Sequence, residues 1–387
     1  MSEAQGELSN EDLLSKLNQG LEGIVAAATS CSFIDGKQGT LIYRGYTIED
    51  LSEHSSFEEV AYLLWYGKLP TRSELDSLKA DLVSSRQVPQ DILDIIEKAP
   101  KSSDPMDVLR TTVSALGMYD PDVADNSHEA NIRKAKRLTS QTPTLVAAHH
   151  RLRQGLDVVM PSSDLDLAAN FLYMLHGTRP DPYVAKVFDI CLILHTEHGL
   201  NASTFSSRVT ASTLADMHAA VTSAIGTLKG PLHGGANEQV MKSLEEIGTP
   251  DRAEEYVRDT LASHKRIMGF GHRVYKTMDP RAKILKRYAK EMSERSNDMK
   301  WFEICEAVEQ AVRKEKPNLY PNVDFYSGTI YHLMGIPTDL FTPVFAISRM
   351  VGWTAQLLEQ YANNRLIRPE SVYVGPLGLT YVPIDQR

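Results

Sequence analysis

Along most of the chain, apolar side chains recur three and four positions apart, the spacing of one buried helical face. Ser56-Phe57-Glu58-Glu59 and Thr71-Arg72-Ser73-Glu74 have the form of capping boxes, and the first of these helices is expected to stop at Gly67, ahead of Pro70. Asp104-Pro105 opens a helix toward Gly117, Pro143 starts an apolar segment from Thr144 to Ala148, and Ser163-Asp164 precedes another from Leu165 to Leu175. Asp181-Pro182 repeats the Asp-Pro start and leads through Val187 and Ile190 to Leu194. Thr213 to Leu228, Arg281 to Glu291, Trp301 to Val312 and Val344 to Ala362 continue the pattern, and Ser9-Asn10 begins a short amphipathic helix through Leu17. Strand signals stay near the ends, the clearest being Ile24 to Phe33 and Thr40 to Tyr43 around the turn dipeptide Asp35-Gly36. The expectation is an all-α protein of stacked helices. Glycines from Gly226 to Gly235 and a second break from Asp324 to Gly328 imply a smaller domain, residues 225–325, inserted into a larger helical body of residues 1–224 and 326–387.

Composition narrows the partners. Lys+Arg 41 against Asp+Glu 50 gives a net charge of −9, which argues against nucleic acid and requires any anionic ligand to be caught in a local basic pocket. Cys31, Cys191 and Cys305 are odd in number and lack CxxC spacing, pointing to a reducing compartment without a zinc site. No apolar run reaches the ~18 residues of a membrane helix, and the first ten residues resemble neither a signal nor a transit peptide. A soluble, cytoplasmic protein is expected.

Within this frame a few stretches carry chemistry. Gly269-Phe270-Gly271-His272 places a histidine on a loop whose glycines allow close backbone approach to a ligand. Lys276 and Arg281 follow, the arginine at a helix start set by Asp279-Pro280. His233 lies in Gly230-Pro231-Leu232-His233-Gly234-Gly235 just ahead of a helix start, where the dipole disfavours an imidazolium and a neutral ring donates a hydrogen bond to a carbonyl or enolate oxygen. The loop has no GK[ST] ending, so it is not a nucleotide phosphate loop. His195 and His198, at i and i+3, fall on one helix face but lack the i, i+4 spacing of HExxH zinc sites. Asp324, between Val323 and two aromatics, is either a helix cap or a desolvated base. Arg349 stands among Phe345, Ile347 and Met350 with no acidic residue at i±3 or i±4, so a bound carboxylate is its natural counter-ion.

The ordered set GPLHGGANE, GFGHRVYKTMDPR, PNVDFYSG, a Ser-Arg within an apolar helix and a late RPES resembles the citrate synthases from about Leu21 to Tyr381. The resemblance implies an all-α, two-domain fold, at least a homodimer, and condensation of acetyl-CoA with oxaloacetate, with no metal and no resident cofactor. It assigns His233 to the thioester oxygen, Asp324 to the methyl proton and His272 to the oxaloacetate ketone. His198, Arg281, Arg349 and Arg368 hold oxaloacetate, Arg368 reaching the site of a partner subunit. Arg266, Met268, Gly269, Gly271 and Lys276 fall where the family binds CoA. The resemblance is to forms without the extra N-terminal β-rich domain of the NADH-inhibited enzymes, so that inhibition is not expected. The motifs do not separate citrate from 2-methylcitrate synthesis, because one methyl in an apolar pocket is worth only about 1–3 kcal/mol. A non-catalytic CoA-binding scaffold would not need His233, His272 and Asp324 together, and a metal hydrolase would need a further ligand.

Overall fold

The structure, a computed structural model, describes Leu14 and residues 17–387, so the helix expected from Ser9 lies largely outside the described residues. Sixteen α-helices run through the described chain. They are α1 (Ile48–His54), α2 (Phe57–Tyr66), α3 (Arg72–Ser84), α4 (Gln90–Lys98), α5 (Pro105–Leu116), α6 (His128–Arg153), α7 (Leu167–His176) and α8 (Pro182–His195). There follow α9 (Ala202–Ser212), α10 (Met217–Leu228), α11 (Ala236–Ile247), α12 (Ala253–Ala262), α13 (Pro280–Ser296), α14 (Lys300–Glu315), α15 (Val323–Leu333) and α16 (Phe341–Ala362). Strands β1 (Ser32–Asp35), β2 (Thr40–Tyr43) and β3 (Tyr46–Thr47) form one small antiparallel sheet in sequential order.

Both capping boxes form in full. Ser56 and Thr71 accept from the backbone of Glu59 and Glu74 and receive their carboxylates in return, and Gly67 closes α2 in the left-handed conformation at φ 77°. Asp104, Asp181 and Asp279 each cap a helix that begins with proline. Other boundaries shift. Pro143 lies inside α6 instead of starting a segment: it gives up one backbone donor, and the burial of Leu138 and Leu145 on either side holds the helix through it. The segment expected from Thr213 breaks at Leu214 (φ 65°), and Asp216 caps α10 afresh. Residues 24–31 carry no strand; the pairing starts at Ser32.

Two units divide the chain. Thr29–Arg365 holds all sixteen helices and one continuous apolar core, with α16 buried along nearly its whole length. The other unit is drawn from Met1–Ala28 and Leu366–Arg387. In it Val25, Val374, Leu377, Leu379 and Tyr381 are each at least three-quarters exposed. Among the described residues no helix is long and apolar enough to cross a membrane.

Candidate active site

Backbone stitching between two loops organises the site. Phe270 and Pro321 form an isolated antiparallel bridge, the Gly271 N–H donates to the Tyr320 carbonyl (2.9 Å), and the Asn322 N–H donates to the Gly269 carbonyl (2.8 Å). This ties the loop before α13, which carries His272, to the start of α15, which carries Asp324. On the far side the Lys276 N–H donates to the Gly36 carbonyl in the β1–β2 turn (2.8 Å). Gly269 has φ +78°, and a Cβ there would meet Val240 and Phe325 at 2.7 and 2.8 Å. Protein packing alone therefore requires a glycine there.

Both catalytic candidates on the imidazole side are neutral, for different reasons. His272 Nδ1 accepts the N–H groups of Val274 (3.0 Å) and Tyr275 (3.2 Å), so its proton sits on Nε2. His233 Nε2 accepts the Ser203 N–H (3.3 Å) and lies 2.8 Å from Ser203 Oγ, which also receives Trp353 Nε1 (3.1 Å). A backbone N–H only donates, so the His233 proton sits on Nδ1. The helix start against which the ring rests is that of α9, not its own α11, which Gly235 caps without a side-chain bond. Burial, with Arg349 for His233 and Arg281 for His272, brings each ring down to about 4.

Asp324 is not the helix cap. Asn322 caps α15 by accepting the Asp324 N–H (3.0 Å), which leaves the Asp324 carboxylate without a hydrogen bond among the described residues. Burial lifts it to about 6, against the pull of Arg281 and Arg349.

The arginines are held in contrasting ways. Arg281, 2% exposed, donates from Nε (3.0 Å) and Nη2 (2.7 Å) to the two oxygens of Asp279, which at the same time caps α13. Arg349, equally buried, donates from Nε to the His195 carbonyl (2.7 Å) and stacks on Phe345 (4.7 Å), but it has no carboxylate partner among the described residues. Desolvation lowers it to about 10. The helix that carries it crosses the end of α8 very closely: at Gly352 a Cβ would stand 2.1 Å from the Thr196 carbonyl oxygen.

His195 and His198 do not share a helix face. α8 ends at His195, which donates from Nδ1 to the Cys191 carbonyl (2.8 Å), and His198 lies past the end, with its ring centre 5.0 Å from that of His272. Among the described residues no group of three or more His, Cys, Asp or Glu is arranged to hold a metal ion. Lys276 is exposed and lines, with Gly271, His272, Tyr275, Asp279 and Asn318, a cavity of about 390 Å³. Arg266 is exposed and Met268 half-buried on the approach to that loop. Arg368 belongs to the terminal unit, where it is exposed. Ser203, Trp353 and Tyr275 escaped the sequence reading. Ser203 alone left a trace, the Asn201 helix cap two residues before it.

A fold of stacked helices, two neutral imidazoles, an unpaired carboxylate and a buried arginine without an ion-paired carboxylate among the described residues make a site for a carbonyl-bearing anion. Residues 20–370 match the family described as citrate synthase, C-terminal domain. The citrate synthase of Haloferax volcanii is 50% identical over 379 residues, covering 96% of this chain and 99% of that protein. A 2-methylcitrate synthase of Mycobacterium tuberculosis is 44% identical over 359 residues, covering 93% and 91%. Among solved structures, a ternary complex of Thermoplasma acidophilum citrate synthase with carboxymethyl-coenzyme A and oxaloacetate superposes with a TM-score of 0.92 at 34% identity, covering 96% of this chain and 99% of that one. The chain belongs to the citrate synthase family. It is an acyltransferase on the all-α fold of that family.

Proposed function

We propose the following division of labour for condensation of acetyl-CoA with oxaloacetate and water to citrate and CoA. Asp324 removes a methyl proton of acetyl-CoA while His233 Nδ1–H holds the thioester oxygen as it becomes an enol. The methyl carbon attacks the ketone of oxaloacetate, and the ketone oxygen takes the proton from His272 Nε2 while the ring regains one from solvent. The methyl proton held by Asp324 returns to solvent, so the site ends in its starting protonation. Arg281 and Arg349 grip the carboxylates, with His198 beside them. Water then cleaves the citryl thioester and releases CoA. Acetyl-CoA is consumed, and no resident cofactor enters the scheme. The observation that carries this reading is the pairing of an unbonded carboxylate at about 6 with an imidazole whose accepting nitrogen is occupied and whose donor is free.

His233, His272, Arg281 and Asp324 all fall within residues 225–325, whereas His198 and Arg349 fall outside it. That split supports an inserted domain that closes on oxaloacetate before acetyl-CoA binds. Arg266, Met268, Gly269, Gly271 and Lys276 would then line the CoA path. The exposed apolar residues of the terminal unit favour a homodimer, or an assembly of dimers, in which Arg368 completes the site of a partner subunit. We place the reaction in the cytoplasm, at the entry of acetyl units into the tricarboxylic acid cycle. Steady-state kinetics with acetyl-CoA and propionyl-CoA test the substrate: a higher kcat/KM for propionyl-CoA would replace this reading with 2-methylcitrate synthesis. Mixing Arg368→Ala with Asp324→Ala tests the assembly, since one heterodimer site then carries neither defect. A mixture as inactive as its parents after verified subunit exchange would remove Arg368 from the shared site.

A further inference from the structure

Tyr275 packs against both ketone-side histidines, the three rings forming a near-equilateral triangle. It is 4% exposed, its ring centre is 4.7 Å from that of His272 and 5.5 Å from that of His198, and its backbone N–H reaches His272 Nδ1. Its hydroxyl is 3.2 Å from His198 Nε2 and makes no other hydrogen bond among the described residues. A buried phenol with a single partner satisfies its O–H by donating, since an unpaired buried donor carries the full cost of desolvation. His198 Nε2 is therefore the acceptor, and the proton of the neutral ring sits on Nδ1. His272, with two N–H groups on Nδ1, carries its proton on Nε2. The two rings, 5.0 Å apart at 69°, are thus held as opposite tautomers, with Tyr275 contributing to both and Val274 to that of His272.

We infer that Tyr275 is a positioning residue of the ketone site, fixing His198 as the neutral Nδ1–H tautomer with its hydroxyl and His272 as the Nε2–H tautomer with its backbone. The charges facing His198 all act in the same sense. Burial, Arg281 on α13 and Arg349 on α16 each oppose a second proton, and His272 on its loop would add to them only if it were charged. The hydroxyl adds what those charges cannot, a choice of which nitrogen carries the proton. Electrostatic repulsion alone leaves an imidazole free to exchange tautomers or to rotate, whereas a directed O–H selects one nitrogen.

The inference rests on the citrate-forming reading for its kinetic consequence, but its structural half is independent of turnover. In the unliganded native protein labelled with ¹⁵N-histidine, long-range ¹H–¹⁵N correlation should show an Nδ1–H ring that disappears in His198→Gln. In Tyr275→Phe that ring should lose its single tautomer, and its titration should move to higher pH, because a donor that favours the neutral form is gone. Kinetically, Tyr275→Phe should raise KM for oxaloacetate about tenfold, the scale of one buried hydrogen bond, while KM for acetyl-CoA and Tm stay near native values. An Nε2–H tautomer at His198 in the native protein, or an unchanged tautomer and titration in Tyr275→Phe, overturns the proposal. So does a loss shared equally by both KM values together with a lower Tm. Failure of the native chain to form citrate would sink the functional reading alone and leave the tautomer result standing.

Discussion

Arg281 and Arg349 are buried to the same degree in one site, yet the chain prepares them oppositely. At the start of α13, Asp279 meets Arg281 with both oxygens, which holds its pKa above the usual arginine value and offsets an unfavourable position at a helix N-terminus. In the middle of α16, Arg349 has a carbonyl, an aromatic face and the longer-range pull of the buried Glu197 carboxylate, but no ion pair among the described residues. The first arginine is part of the fold. The second is a charge kept waiting for a ligand, and the unliganded protein carries its cost.

Substitutions can break or sharpen this contrast. The largest effect belongs to Asp324, the carboxylate on which both arginines pull. Asp324→Ala should lower kcat about a thousandfold, the scale of a lost general base, while calorimetry finds oxaloacetate binding near its native strength. Retention of a tenth of kcat would remove Asp324 from the role. Next come the arginines themselves. Arg281→Met strands a buried Asp279 and should cost about 3–5 kcal/mol of stability. Arg349→Met should abolish measurable oxaloacetate binding yet raise Tm slightly, by about 2 °C. If chemical and thermal unfolding show equal destabilisation by the two changes, the contrast fails.

A smaller and more diagnostic effect is the pH profile of kcat/KM. Asp324 must be ionised and Arg349 charged, so activity should rise through about 6 and decline toward about 10, while His233 and His272, at about 4, stay neutral throughout. An acid limb near 4 would assign the essential base elsewhere. Smallest is Ser203→Ala, which keeps the backbone N–H on His233 and should cost only about fivefold in kcat. A loss beyond a hundredfold would mean that the hydroxyl, not the helix start, orients the ring.

What was legible in the sequence follows the reach of each interaction. Capping boxes and Asp-Pro starts act within four residues, and they appear where the pattern puts them. His272 is held by N–H groups two and three residues on, so its loop announces it. The absence of an acid one turn from Arg349 was visible as well. His233 is different: the N–H on its ring comes from Ser203, thirty residues upstream, and only the packing of α9 beside the loop brings them together. Asp324 looked like a cap because the true cap, Asn322, competes for the same role two residues earlier. The histidine pair looked helical because periodicity does not mark that α8 ends at His195. Tyr275 had no signal at all, since its meaning lies in a ring 77 residues away in the chain.

The contact at Gly352 has a bearing on how far this chain can be redesigned. A methyl there would press on the Thr196 carbonyl at 2.1 Å and on Glu197 Oε2 at 2.8 Å, so any heavier residue must lift α16 from the end of α8. Arg349 sits three residues earlier on the same helix and is anchored to the His195 carbonyl at that same end. A designer widening the pocket for a bulkier keto acid would find the neighbouring positions negotiable and this one closed, because the added carbon would surface as a displaced guanidinium and not as a steric complaint at its own address.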